Sequence, residues 1–397
     1  MPLIWLALTL TLSTPAKAFE GRVEPFGHLQ TRLTVWEQME EADELLQFPS
    51  EDPAAQVVSG FGLTRVRAGL RAYVLKDALE MKVQMRVENG PAILDAYGAL
   101  HLHDAFSIVV GQMKIPGPGE NLETSRELDF ITRPLISKYI SDFSLSRTTY
   151  ASSLFYGIHS YMRDLGITLK GDGDLGVGHL RYRAMVGNGL GANRFIGGGT
   201  TKEYIITNPG QFFVGGRLEA AEFFQVVTIG SHVNYNRHDN MVFNSGRIVY
   251  DLNRLSWSGD LRVVIPNTGL RLGGLYGGGL IDDDYDDDGH TDVQYSGWST
   301  HLIFRLNDPI SLSTPASQQK AFWTDHIVEV GARAEQYHYE WNEGGAPIVQ
   351  TNWTFGLSYS YREYVNVKLN YALRRTDDPS LPDLDDDALL MQMQFAL

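Results

Sequence analysis

Arg65, Arg67 and Arg71 share one parity of the stretch TRVRAGLRAYV, while Val66, Ala68, Leu70, Ala72 and Val74 hold the other. A guanidinium stays charged and offers a planar fork of donors that matches carboxylate and phosphate oxygens. Along a strand, alternate residues lie about 7 Å apart, so an anion could move from one arginine to the next without losing all its partners. Lys82, Arg86, Arg181, Arg183 and Arg217 occupy the polar parity of their own alternating stretches. The competing reading is that these cations pair with acids on neighbouring strands, such as Glu80, Glu88 and Glu219, and only brace a wall.

A second chemical pattern is DDDYDDDGHTD at 282–292. Asp284, Asp286, Asp288, Gly289 and Asp292 fit D-x-D-x-D-G-x-x-D, in which alternate oxygen ligands wrap a hard cation and the glycine permits the bend. The twelfth position is Tyr295 rather than a bidentate Glu, so a calcium site here is incomplete unless Asp282 or Asp283 contributes. A solvated acidic loop, or one bridged by divalent ions to lipopolysaccharide, is the alternative. Calcium apart, no cofactor is expected. GxSxG and HExxH motifs are lacking, and His101, His159, His179, His232 and His301 are scattered, which argues against an enzyme.

What must position these residues is legible in the alternation. Leu79, Met81, Val83, Met85 and Val87 alternate with Glu80, Lys82, Gln84 and Arg86. Trp353, Phe355, Leu357, Tyr359 and Tyr361 mark every second residue of another stretch, and Leu389, Met391, Met393, Phe395 and Leu397 do so at the C-terminal end. Such patterning predicts strands with one apolar and one polar face. Stretches of about ten residues suit a tilted strand crossing a bilayer. Tight turns are expected at Lys76-Asp77, His103-Asp104, 171–176, Ala221-Glu222 and Arg362-Glu363. Long polar segments fall at 37–60, 114–161, 188–210, 279–293, 340–350 and 375–387. Short turns on one side and long loops on the other describe an outer-membrane β-barrel.

The fold expected is therefore all-β, a transmembrane antiparallel barrel of about sixteen strands, or eighteen if part of 144–158 crosses. Parity leaves one crossing between 236 and 266; 256–265 takes it, and 245–254 extends above the membrane. Residues 1–18, with an apolar run from Leu3 to Leu12 and the Ala16-Lys17-Ala18 site, read as a secretory signal, although no Lys or Arg precedes the run. Residues 19–397 form one barrel domain, with a constriction loop at 114–161 and an acidic outer loop at 279–293. The chain has no cysteine, and its net charge of −15 argues against nucleic acid as a partner. Inside the barrel the balance reverses: on the inward parity, bases outnumber acids by roughly two to one, and the lumen sets the field an ion meets.

The segments LDAYGALHLHDAFSIVVGQMKIPGPGENLETSRELDFITRP (94–134) and RDLGITLKGDGDLGVGHLRYRAMVGNGLG (163–191) resemble the phosphate-selective porin O and P family. They share a strand ending in VGQMKIP, a Glu/Ser-bearing loop leading to Phe-Ile-x-Arg, and an Arg-Asp-x-Gly strand start before a glycine-closed hairpin. The likeness covers 60–190; beyond it only barrel patterning continues. It implies a sixteen-stranded trimeric channel with an inward-folded third loop and an arginine-lined pore. It also implies a pore-lining role for Lys114, Arg126 and Arg133. The function expected is a passive outer-membrane channel for small hydrophilic solutes that prefers phosphate-like anions. The partners are lipid, lipopolysaccharide, small anions and two further copies of the chain. A non-selective channel, or an adhesion scaffold with calcium-binding loops, is the alternative.

Overall fold

The structure, a computed structural model, describes residues 21–36, 60–75, 77–88, 91–125, 127–141, 162–189, 204–206, 212–238, 241–243, 248–249, 252–266, 268–283, 293–306, 325–341, 347–362, 364–377, 384–385 and 387–396. Sixteen long antiparallel strands among them make the wall. The first eight are β1 (Gly21–Trp36), β2 (Gly60–Val74), β3 (Leu79–Arg86), β4 (Ala92–His103), β5 (Phe106–Lys114), β6 (Arg163–Asp174), β7 (His179–Gly187) and β8 (Phe212–Phe223). The second eight are β9 (Val227–His238), β10 (Leu252–Ile265), β11 (Leu270–Asp283), β12 (Val293–Arg305), β13 (His326–Trp341), β14 (Ile348–Tyr361), β15 (Val365–Asp377) and β16 (Ala388–Ala396).

Each strand pairs with its chain neighbours, and the ends meet: Gln30 of β1 stands opposite Arg65 of β2 and Gln394 of β16. Closure satisfies every backbone donor and acceptor without water, which is the condition for crossing hydrocarbon. The exterior is apolar. On β14, Phe355 and Leu357 are 51% and 47% exposed, whereas Asn352 and Thr354 on the other parity are 5% and 3% exposed. This inverts a soluble core: apolar side chains face outward and the buried groups are largely polar.

The turn expected at 171–176 lies at Leu175–Gly178, because β6 runs through Asp174, and two further expectations shift. The turn expected at Ala221-Glu222 lies at Phe224–Val226, because β8 continues through Phe223, which pairs with Val227 beside a register shift. Phe224 and Gln225 take left-handed φ values of 51° and 59° to close the turn. The second concerns the rule of short turns on one side: β12 and β13 are joined on that side by 306–325, a long connection. Between 236 and 266 the one crossing strand is β10. Residues 241–243 pair instead with 204–206 and 248–249 in a separate small sheet, in keeping with an extension beyond the wall.

The segment after β5 turns into the lumen and carries two short helices, α1 (Gly119–Leu122) and α2 (Leu135–Ser141). Ile136 and Ile140 of α2 pack with Leu275, Tyr295 and Tyr337 of the wall. Glycine makes that approach possible: a Cβ on Gly277 would lie 2.6 Å from Ile140 Cδ1, and one on Gly356 would lie 3.1 Å from a ring carbon of Phe130. The signal segment 1–18, Arg126, and Asp284, Asp286, Asp288 and Asp292 lie outside the described residues.

Candidate functional site

The inward loop is fastened to both sides of the lumen through its backbone. Near β8–β10, Arg217 donates to the Gly117 carbonyl (3.2 Å), Asn234 donates to the Pro116 carbonyl (2.7 Å), and the Gly119 N–H donates to Asp260 (3.3 Å). On the far wall, the Ile131 N–H donates to Asn370 (2.8 Å) and the Leu135 N–H to Glu335 (3.0 Å). Arg333 donates to the Thr132 carbonyl (2.6 Å), and Lys368 donates to the Leu128 carbonyl. Asn121 and Ser137 exchange two hydrogen bonds of 2.6 Å and join α1 to α2. A loop held this way narrows the lumen as a fixed partition.

Two of the candidate cations serve the loop itself. Lys114 Nζ donates to the carbonyls of Asn121, Leu122 and Glu123 at 3.0, 3.0 and 2.7 Å, satisfying the open C-terminal end of α1. Arg133 donates to the carbonyls of Glu120 and Glu123 at 3.3 and 3.0 Å. Neither set of bonds uses a carboxylate.

On the wall, Arg65 donates to Gln30 Oε1 at 2.8 Å, a neutral partner. Arg67 lies 4.0 Å from Glu88, and Arg71 lies 3.3 Å from Glu80. Arg86 stands opposite Arg67 in register. Lys82 pairs with Asp95 at 2.7 Å. Arg181 is held by Asp172, Glu222 and Glu219 at 2.9, 3.0 and 3.4 Å. Arg217, its side chain only 3% exposed, is clamped by Asp260 at 2.5 Å and Glu219 at 2.6 Å. Arg183 has no carboxylate within ion-pair distance among the described residues.

Asp95 and Arg163 escaped the reading of the sequence. Asp95 bridges Lys82 and Arg163, the latter at 2.5 Å, in a buried triad. Its inward parity with Tyr97, Ala99 and His101 on β4 was the available signal. Asp129 of the loop pairs with Arg271 at 2.6 Å, and Glu123 pairs with Arg262 at 3.1 Å. Glu120 faces a cavity of about 580 Å³ with Arg181, Asp260 and Arg262. Confinement within the loop pushes the Glu120 carboxyl up to about 8, against the pull of Arg333 and Arg133. Burial likewise raises Glu123, opposed by Arg262.

His101 joins Ser107 and Glu80 in one chain, with Nδ1 3.0 Å from the Ser107 hydroxyl and Nε2 3.2 Å from Glu80. The order is that of a nucleophile, base and acid. Ser107 is 5% exposed, however, and Glu80 also accepts from Tyr97 at 3.1 Å and pairs with Arg71, so the chain braces the wall.

The fold is a closed sixteen-stranded antiparallel β-barrel with an apolar exterior. No family model and no curated protein matches the chain. Solved structures do. OmpT, an outer membrane protein of Vibrio cholerae, superposes with a TM-score of 0.60 at 12% identity, over 96% of this chain and 99% of that one. The same protein in a trimer form gives 0.57 at 12% identity, over 95% and 99%. An anion-selective porin from Comamonas acidovorans gives 0.60 at 11% identity, over 95% and 100%. At these identities the likeness establishes the architecture, end to end.

Proposed function

We propose that the chain is an outer-membrane porin, a passive diffusion channel that admits small hydrophilic solutes and prefers anions of the phosphate class. One observation carries the preference. The wall acids Glu80, Asp95, Asp172, Glu219, Asp260, Glu329 and Glu335 each sit within ion-pair distance of a cation, as do Glu123 and Asp129 of the loop, whereas Glu120 and Glu127 of the loop face the cavity of about 580 Å³ without one among the described residues. Arg65, by contrast, meets only an amide, and Arg133 meets only carbonyls. Along the wall the charge left over for a mobile ion is positive, although the whole protein is acidic. The resemblance to the phosphate-selective porin O and P family supports the same reading, and so does the anion-selective porin of the same fold. A homotrimer, export on a signal at 1–18, contact with lipopolysaccharide and calcium in 282–292 belong to this reading as proposals.

The Arg65, Arg67 and Arg71 row faces the lumen on alternate positions, with Gly69 leaving a gap at the third of four. Reversal potentials across a planar bilayer in a KCl gradient test the preference. The expected sign is that of chloride; a cation-selective reversal would sink the anion reading and leave a general porin. Replacing the three arginines together by Ala should lower chloride conductance, and an unchanged value would assign them to bracing alone.

A further inference from the structure

On the turn side of the inward loop the lumen widens into a cavity of about 1060 Å³ lined by His101, Ser107, Lys170, Asp172, Arg181 and Arg183, among others. Ser107, Lys170 and Arg183 are direct register partners across β5, β6 and β7. Directly paired side chains on one face stand about 5 Å apart at Cβ, so the ammonium and the guanidinium can reach one small ion together. Placing like charges opposite each other costs stability unless something sits between them. Both side chains are half-buried, and among the described residues neither meets a carboxylate or any other hydrogen-bond acceptor.

Among the described residues no acid lies within ion-pair distance of either, and Glu80, whose charge reaches Lys170, is taken by Arg71 and His101. Asp172 is taken by His179 at 2.9 Å and by Arg181. Glu219 is taken by Arg217 and Arg181. Asp174 accepts the Gly176 N–H at 2.7 Å within the turn, and Asp77 pairs with Arg22 at the exposed rim. Asp104 sits at the exposed turn itself.

We propose that Lys170 and Arg183 form a binding station for a small oxyanion such as inorganic phosphate, on the turn side of the partition and separate from the Arg65, Arg67 and Arg71 row. The guanidinium takes two oxygens through its fork, and the ammonium takes a third as a point charge. This rests on the channel reading only in requiring a water-filled lumen.

The test is single-channel chloride current with inorganic phosphate added to one side at a time, on barrels whose folding is checked by heat-dependent gel mobility. In the native chain, phosphate should block, and at lower concentration from the turn side. Replacing Lys170 and Arg183 together by Ala should raise the half-blocking concentration about tenfold or more, the scale of charge-assisted hydrogen bonds. Lys170→Arg should preserve the block. No block in the native chain, or the same half-blocking concentration in the folded double variant, overturns the station. So does a block lost with the Arg65, Arg67 and Arg71 row but kept without Lys170 and Arg183. A cation-selective reversal potential with a block that still depends on the pair would overturn the channel preference and keep the station. An anion-selective reversal with a block indifferent to the pair would do the opposite.

Discussion

Asp95 is a single carboxylate serving two cations, Lys82 and Arg163, with all three side chains largely out of water. Removing one partner of a buried ion pair leaves uncompensated charge, at a cost of about 3–5 kcal/mol. Asp95→Asn should therefore lower barrel stability on that scale, read as the urea midpoint in lipid, while a change at exposed Arg22 should leave it alone. Glu120 carries a different prediction. Its raised pKa of about 8 keeps it neutral below that pH and charged above it. Anion preference should thus fall between pH 7 and 9 as negative charge appears at the partition. Glu120→Gln should give a reversal potential flat over the same interval; a fall as large as in the native chain would place the titrating group elsewhere. The sequence showed which residues face inward at this scale, because parity is local. It did not show which would be consumed by one another. Arg217 meets Asp260 across an intervening strand and Arg271 meets Asp129 of the inward loop, and alternation carries neither strand register nor the course of a loop.

At the scale of elements, the third loop was legible as a long polar segment, and its inward course was an expectation from its length and from family likeness. How it is fastened was not legible. Its anchors are backbone carbonyls and N–H groups, which look the same under every side chain, met by Asn234, Arg333, Lys368 and Asn370 from distant strands. The glycines that admit Phe130 and Ile140 likewise read in sequence only as breaks in a strand. Lys114 is the sharpest case, a pore-lining candidate whose ammonium closes the end of α1. Lys114→Met should strip three carbonyls of their donor and cost about 1–3 kcal/mol. The readout is flicker: open-channel current noise should rise as the loop loosens, with little change in reversal potential. A quiet channel of native stability would mean that water replaces the lysine.

At the scale of the whole molecule, alternation fixes two surfaces at once, and the sixteen-strand count follows from turn parity even where two turns were misplaced by a few residues. Leu357 lies midway along β14 on the outward face and is 47% exposed. Leu357→Arg should destabilise the folded barrel by about 2–4 kcal/mol in lipid, as expected for a cation near the bilayer midplane. The same change at Tyr361, at the strand end, should cost less. Equal costs would contradict the depth profile.

Residue 30 lies beside residue 394, joined by the Gln30–Gln394 hydrogen bond and the ladder around it. The first strand to leave the ribosome waits for the last before its second partner exists. Neither can be sealed while translation continues, and every partial product has two raw borders that hydrocarbon would reject. Synthesis and insertion must therefore be separate events. The wall is sealed only when residues 388–396 lie between 365–372 and 28–36.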